Sequence, residues 1–218
     1  MQNDYIIRML QQMTVVFTRI IGLKENKRYD EALGATGEEL KKRIGITPKL
    51  IDALAWDEII NLITTNEPQP SGKCLTVAGL LKEEGDIYRL QGEFEKGYER
   101  HLKSLYILLF ANERYGVHLL EIDRLIEQMM PSLSEYELPR DAKRMLFGYY
   151  ETAGKYAKAE NILFELVNEP EQKRQDVIQE GMAFYERLLQ KNDEELKKGG
   201  LPQAEIMDGL QELQKKSR

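Results

Sequence analysis

Apolar residues recur every three or four positions along most of the chain, and strict alternation of apolar and polar residues is nearly absent. This spacing places apolar side chains on one face of an α-helix. The first helix is predicted to begin at Asn3 or Asp4 and to end near Gly22. Its apolar face comprises Ile6, Met9, Leu10, Met13, Val16, Phe17, Ile20 and Ile21. We therefore predict an all-α fold.

The main break in this helical pattern is the segment 66–72, which holds two prolines and a glycine in seven residues. Before it, short helices are predicted from Tyr29, over residues 37–43, after Thr47 and from Asp57. After it, the pattern becomes a series of helical hairpins. The sequence thus predicts an N-terminal helical segment at residues 1–66, which caps or packs on a helical repeat region at residues 73–218, the two forming one compact unit.

Two stretches of this second region share one pattern. An aromatic residue lies four positions before a glycine, a second aromatic follows two positions after it, and a small residue lies three positions further on. The glycine permits a tight turn between antiparallel helices, and the small residue permits their close approach. A weaker copy at residues 27–32 lacks the glycine. The two good copies are Tyr88, Gly92, Phe94, Gly97 and Tyr150, Gly154, Tyr156, Ala159.

This pattern resembles the tetratricopeptide repeat, a unit of about 34 residues. Gly92 and Gly154 lie 62 positions apart, close to two repeat lengths, so one degenerate helix pair fits between them. The resemblance implies helical hairpins stacked as a short right-handed α-solenoid. Helical hairpins without repeat stacking are the alternative.

A second resemblance covers nearly the whole chain. It rests on the segments 3–6 (NDYI), 149–156 (YYETAGKY), 184–189 (FYERLL) and 199–202 (GGLP). With these segments the chain resembles a bacterial protein family to which no activity is assigned. This resemblance supports a helical fold and implies no reaction.

The overall charge and the single cysteine narrow the class of protein. The formal net charge of -6 repels phosphate backbones, so we do not expect a nucleic-acid partner. Cys74 cannot form an internal disulfide, and one cysteine in 218 residues is compatible with a reducing cytoplasm. Residues 5–21 are too polar and too few to span a bilayer. We predict a cytoplasmic protein without a membrane span.

No combination of residues in the sequence indicates catalysis. His101 falls at a helix-packing position, and His118 with Glu121 offers fewer ligands than zinc requires. Cys74 has no histidine within sequence reach that could activate it. Trp56, at a predicted helix start, is expected to bury its ring against the following turn. We predict a non-enzyme with no cofactor and no metal site.

The tetratricopeptide resemblance implies a groove lined by the first helices of successive pairs, which holds an extended peptide or a partner helix. Asp86 and Gly148 stand where the clamp for C-terminal carboxylates has asparagine, so we do not expect that ligand. The leading hypothesis is a protein-protein interaction module with an unknown partner; the alternative for each position is an exposed helix charge. The groove positions would be Lys82, Asp86 and Arg89 in the first copy and Arg144, Gly148 and Glu151 in the second.

Two further functions remain open. The first helix, with Ile7 and Val15 beside its main apolar face, is apolar over a wide arc. It either caps its own solenoid or pairs with a second copy, as a homodimer, in a self-associating structural protein. A small-ligand sensor with a pocket in the concave face is the other candidate. Its pocket walls would be Tyr149, Tyr150 and Tyr185, unless these residues belong to the core.

Overall fold

The computed structural model describes residues 2–116, 120–169 and 174–217, and within them all side chains except those of residues 2–12, 120 and 174. In these residues the chain forms twelve α-helices and no strand, which confirms the all-α class. The helices are α1 (Gln2–Glu25), α2 (Tyr29–Ile44), α3 (Pro48–Ala53), α4 (Trp56–Thr64), α5 (Pro70–Leu90), α6 (Phe94–Tyr115), α7 (Leu120–Leu133), α8 (Arg140–Thr152), α9 (Tyr156–Asn168), α10 (Arg174–Leu188), α11 (Asp193–Lys198) and α12 (Gln203–Lys216).

The chain divides into two compact units. Residues 1–137 form the first, which contains α1 to α7, and residues 138–218 form the second, which contains α8 to α12. The segment 66–72, where the sequence predicts the main boundary, lies inside the first unit, between α4 and the first turn of α5. The stacking of hairpins into a solenoid stays a prediction.

Helix α5 is the centre of the first unit. It contacts α1, α2, α4, α6 and α7. From Ser71 to Gly85, every residue except Lys73 is buried. A helix surrounded in this way is usually apolar on every side. This one also buries Lys82, Glu83 and Glu84, so each of these charges needs a partner inside the unit.

The α5–α6 hairpin is closely packed where two glycines face each other. A β-carbon on Gly85 would lie 2.2 Å from Cδ2 of His101 and 3.0 Å from the carbonyl oxygen of Gly97. Only a residue without a side chain fits there. The close approach that the sequence predicts at Gly97 is therefore confirmed.

The same turn ends four of the helices, namely α1, α5, α8 and α11. In each turn one residue has a left-handed backbone, with φ between 57° and 83°. The next residue donates a backbone hydrogen bond of 2.8 to 3.0 Å to the carbonyl five positions earlier, as in a Schellman motif. The repeat pattern in the sequence predicted the turn at two of these positions, Gly92 and Gly154. The left-handed residues are Lys27, Gly92, Gly154 and Gly200.

The described part of α1 packs within the first unit, against α2 and α5. Met13 and Ile20 are fully buried, whereas Val15 is 76% exposed. The helix continues past Gly22, its predicted end, to Glu25. The side chains of Ile6, Ile7, Met9 and Leu10 lie outside the described residues, so pairing through this helix stays a prediction. None of the described helices has the length and hydropathy needed to cross a membrane.

The two short helices predicted at residues 29 and 37–43 form one helix, α2. Gly34 and Gly37 both lie inside this helix and have helical backbones. Gly37 is buried beside Pro48 at the start of α3, where a β-carbon would lie 2.9 Å from the proline ring. The absence of a side chain there serves packing between α2 and α3 and does not end the helix.

The second unit is built on an α8–α9 hairpin, and α10 contacts both α9 and α12. Its core is aromatic, with Phe147 and Phe184 in edge contact at 5.3 Å between ring centroids. Tyr149, Tyr150 and Tyr185 are buried in this unit. The hydroxyl of Tyr185 donates a 2.5 Å hydrogen bond to Glu160. Burial raises the pKa of the Glu160 carboxyl in spite of this bond.

Candidate binding cleft

A cleft of about 690 Å³ opens in the first unit between α1, α5 and α7. Each helix contributes residues spaced by three or four positions, which is one helical face. Helix α5 supplies the floor, through Leu75, Gly79, Lys82 and Glu83. At 1.5 Å per residue, this floor is about 12 Å long. All four floor residues are buried.

The glycine in the floor lets an aromatic ring approach α5. The ring of Phe17 lies over Gly79, where a β-carbon would be 2.8 Å from Cζ of Phe17. Seven residues further along α1, Lys24 contacts Glu83 and Asp86, which lie four and seven residues beyond Gly79 on α5. These contacts advance in the same direction on both helices, so α1 and α5 run parallel along the cleft.

The two walls are apolar in their depth and polar at their rims. Leu125 of α7 is 9% exposed, whereas Ile21 of α1 is 38% exposed and reaches the rim. The remaining wall residues include Thr14, Thr18 and Glu25 on α1 and Glu121, Arg124 and Gln128 on α7. An apolar slot with a few convergent polar groups is the common form of a binding site.

Three charged residues line one end of the cleft, Lys24, Lys82 and Glu83, and Asp86 contacts both lysines; we call these four side chains the ionic end. Lys24 Nζ lies 2.6 Å from Glu83 Oε2 and 2.8 Å from Asp86 Oδ2. Lys82 Nζ lies 3.0 Å from both Glu83 Oε1 and Asp86 Oδ2. The two ammonium groups and the two carboxylates thus form a closed ring of alternating charge.

The ring shifts the pKa values of Lys24 and Asp86 in the directions that favour their charged forms. Burial alone would lower the pKa of Lys24, but the charge of Glu83 and the hydrogen bonds to Asp86 and Glu83 outweigh it and raise the pKa. Burial alone would raise the pKa of Asp86. Hydrogen bonds from His101 and Lys24 and the charge of Lys82 hold it well below its usual range.

His101 supports the ionic end from α6. Its Nε2 lies 3.2 Å from Oδ1 of Asp86 and 3.2 Å from the carbonyl oxygen of Lys82. Both atoms are acceptors, so Nε2 carries the proton and donates it. Nδ1 is buried, and no described residue forms a hydrogen bond with it. The packed structural position predicted for His101 is confirmed, while His118 lies outside the described residues.

A second buried network lies elsewhere on α5 and was not predicted from the sequence. Arg100 Nε donates a 2.8 Å hydrogen bond to Glu84, and its guanidinium also pairs with Asp52 of α3. Thr36 of α2 donates a 3.1 Å bond to Glu84. Burial raises the pKa of Glu84 against the opposing charge of Arg100. The network ties α2, α3, α5 and α6 together.

The structure places the five charged residues among the predicted groove positions in ion pairs. Lys82 and Asp86 meet in the ionic end, and Arg89 forms two hydrogen bonds, of 3.0 and 2.6 Å, with Glu135. In the second unit, Arg144 contacts Glu180 at 2.9 Å, and Glu151 contacts Arg187 at 2.7 Å. Of these five, Lys82 is the one that lines the cleft. The sequence analysis did not single out Lys24 or Glu83.

Two other residues considered in the sequence analysis, Cys74 and Trp56, are packed against other parts of the first unit. Cys74 is fully buried, and burial raises the pKa of its thiol to about 12. Trp56 stacks on Tyr106 of α6, with ring centroids 4.5 Å apart and planes 8° from parallel. Among the residues whose side chains are described, no group of three or more His, Cys, Asp or Glu could hold a metal ion.

A protein-family model matches the chain over its whole length. None of the curated proteins and none of the solved structures matches the chain significantly. A model described as a family of unknown function, DUF6483, matches residues 1–218. This agrees with the sequence-based resemblance to a family without an assigned activity, whereas the tetratricopeptide relationship stays a prediction. Because the match spans the whole chain, the protein belongs to DUF6483, a family of unknown function.

Proposed function

We propose that this protein is a non-catalytic protein-interaction module, and that the cleft between α1, α5 and α7 binds an amphipathic helix of a partner protein. The observation that carries this proposal is the convergence of three helical faces on one apolar slot with a polar rim. The floor is about 12 Å long, which is a little over two turns of helix.

The shape of the cleft suits this ligand. An amphipathic helix docks through apolar side chains at positions i, i+3, i+4 and i+7, which extend over two turns. Ile21 on the rim and Leu75 and Leu125 in the depth offer apolar contacts along this length. Glu25, Glu121 and Arg124 on the walls would meet the flanking polar side chains of the partner.

A small-molecule ligand is the second candidate function. The volume of about 690 Å³ falls within the range of roughly 300 to 1,000 Å³ that is usual for small-molecule sites. Thermal-shift screening with metabolites tests it, because a bound ligand raises the unfolding midpoint.

Two finer features of the fold and its setting belong to the same proposal. We propose that the α5–α6 and α8–α9 hairpins are tetratricopeptide-like, since both have the predicted glycine turn and aromatic positions. We also place the protein in a bacterial cytoplasm, since the single cysteine suits a reducing compartment.

Affinity capture from native lysate with a matched pair of variants tests the docking site. Ile21→Glu places a charge on the wall of the cleft, where Ile21 is 38% exposed. Leu62→Glu places the same charge on α4, where Leu62 is 54% exposed and does not line the cleft. We expect the Ile21→Glu variant to lose a partner that the wild-type and Leu62→Glu proteins retain. With the purified partner, the loss should be at least about tenfold in Kd, or about 1.4 kcal/mol.

Other outcomes would reject this site. A partner that both variants retain would place the docking surface outside the cleft. Recovery of the bait alone would favour self-association, which the mass of the protein in solution would then establish. A midpoint shift by a metabolite that only Ile21→Glu abolishes would assign the cleft to the small-molecule function.

A further inference from the structure

The ionic end of the cleft is balanced in charge. Lys24 and Lys82 contribute two positive charges, and Glu83 and Asp86 contribute two negative charges, each within 3.0 Å of both lysines. The local sum of formal charge is therefore zero.

The charged residues on the walls leave this balance unchanged. Arg124 pairs with Glu121 on its own helix. Glu25 is exposed at the rim, where water screens it. Gln128, the last residue of α7 that lines the cleft, is neutral. An ionised ligand group that enters the depth of the cleft would therefore meet no uncompensated opposite charge, and burial of such a group is unfavourable.

The ring still leaves hydrogen-bond donors unused. An ammonium group carries three N–H donors and no acceptor. Lys24 donates hydrogen bonds to Glu83 and Asp86, whereas Lys82 donates one to Glu83 and forms an ion pair with Asp86, so each lysine keeps at least one donor. Both lysines line the cleft. Two donors and no net charge suit an oxygen that accepts hydrogen bonds without carrying charge.

We infer that the ionic end selects an uncharged hydrogen-bond acceptor, an amide carbonyl, and rejects carboxylate and ammonium groups. This inference rests on the proposed function, and it specifies the chemistry of the partner. The docked helix presents an apolar face followed by an amide oxygen. That oxygen belongs to an Asn or Gln side chain or to one of the free carbonyls at the end of the helix.

Three probes of equal chain length test this selection on the full-length protein: octanamide, octanoate and octylamine. The alkyl chain stands for the apolar face of the partner, and the head group stands for the atom at the ionic end. We expect octanamide to bind at least about tenfold tighter than either charged probe in titration calorimetry. Its heat should disappear in the Ile21→Glu variant and persist in Leu62→Glu.

Two variants that each remove one charge from the ring should change which of the three probes binds most tightly. Glu83→Gln leaves two lysines facing Asp86, a net positive charge, so octanoate should become the tightest ligand. Lys24→Met leaves Lys82 facing two carboxylates, a net negative charge, so octylamine should become the tightest. Unfolding cannot produce this result, because it would abolish binding of all three probes, and circular dichroism of each variant controls for it.

The inference is overturned if wild-type protein binds octanoate or octylamine as tightly as octanamide, if the variants do not exchange the order, or if no probe binds. The capture experiment with Ile21→Glu is independent of these probes. If a partner is lost in that variant, the proposed docking site is supported even when the probes do not bind as expected. If the probes bind in the expected order but no partner protein is lost in the Ile21→Glu variant, the result would instead support the small-molecule function of the cleft.

Discussion

At the scale of single residues, the turn after α1 has an unusual occupant. Lys27 has φ of 57°, whereas the three equivalent turns have glycine at this position. The left-handed backbone costs an L-residue roughly 1–2 kcal/mol, and glycine avoids that cost but loses more chain entropy on folding. The pattern of residues 27–32 therefore matched the other copies only weakly, although the backbone forms the same turn.

The substitution Lys27→Gly should raise the free energy of unfolding by about 0.5 to 1 kcal/mol, because it relieves this backbone strain. Urea unfolding, with the midpoint and slope compared with wild type, measures the change. Lys42→Gly is the matched control: it lies inside α2, where glycine should cost about 1 kcal/mol. A loss of stability in Lys27→Gly would show that the lysine side chain contributes more than its backbone costs.

At the scale of elements, the packing of α5 against α6 depends on Gly85. The β-carbon of Gly85→Ala would lie 2.2 Å from His101 and 3.0 Å from the backbone oxygen of Gly97, and that backbone cannot move without displacing α6. We expect a loss of about 2 to 3 kcal/mol in the free energy of unfolding, measured by chemical denaturation.

The control for this prediction is Gly34→Ala in α2. A β-carbon there meets no atom within 4 Å. Since alanine is the better helix former, the control should gain up to about 1 kcal/mol. Equal effects of the two substitutions would mean that the α5–α6 crossing tolerates a side chain, contrary to its geometry.

At the scale of the whole molecule, stability should depend on pH through the ionic end. The pKa of Asp86 in the folded state is lowered, because its hydrogen bonds and neighbouring lysines outweigh burial. A carboxyl whose folded pKa lies below its unfolded value stabilises the protein above the unfolded pKa, about 3.9 for Asp. This contribution is lost as the pH falls below that value toward the folded pKa.

The substitution Asp86→Asn should therefore lower the free energy of unfolding by about 2 kcal/mol at pH 7, where the wild-type carboxylate is charged. The difference between the two proteins should shrink as the pH falls below about 4. Urea unfolding at a series of pH values measures both. Asp208→Asn, at an exposed position on α12, should leave the pH dependence unchanged. A difference that is constant with pH would show that Asp86 contributes by shape and not by charge.

The features of the fold that could be predicted from the sequence are those that depend on residues close together in the chain. The recurrence of apolar residues every three or four positions indicates helices wherever the chain folds, since it reflects the helical period itself. Gly92 and Gly154 mark turns because few other residues adopt a left-handed backbone at low cost. The sequence divided α2 into two short helices, because it does not show that Gly37, where the second was predicted to begin, packs against Pro48 inside one continuous helix.

The sequence by itself thus determined the helical class, the hairpins and their glycine turns, because those depend on residues within a few positions of one another. It also placed Lys82 and Asp86 on one face of one helix. Only the tertiary structure decided that Lys24, 62 positions before Asp86, completes their ring, and that α1, α5 and α7 enclose a cleft. With 31 basic and 37 acidic residues in the chain, opposite charges have many possible partners, and packing of the helices selects among them.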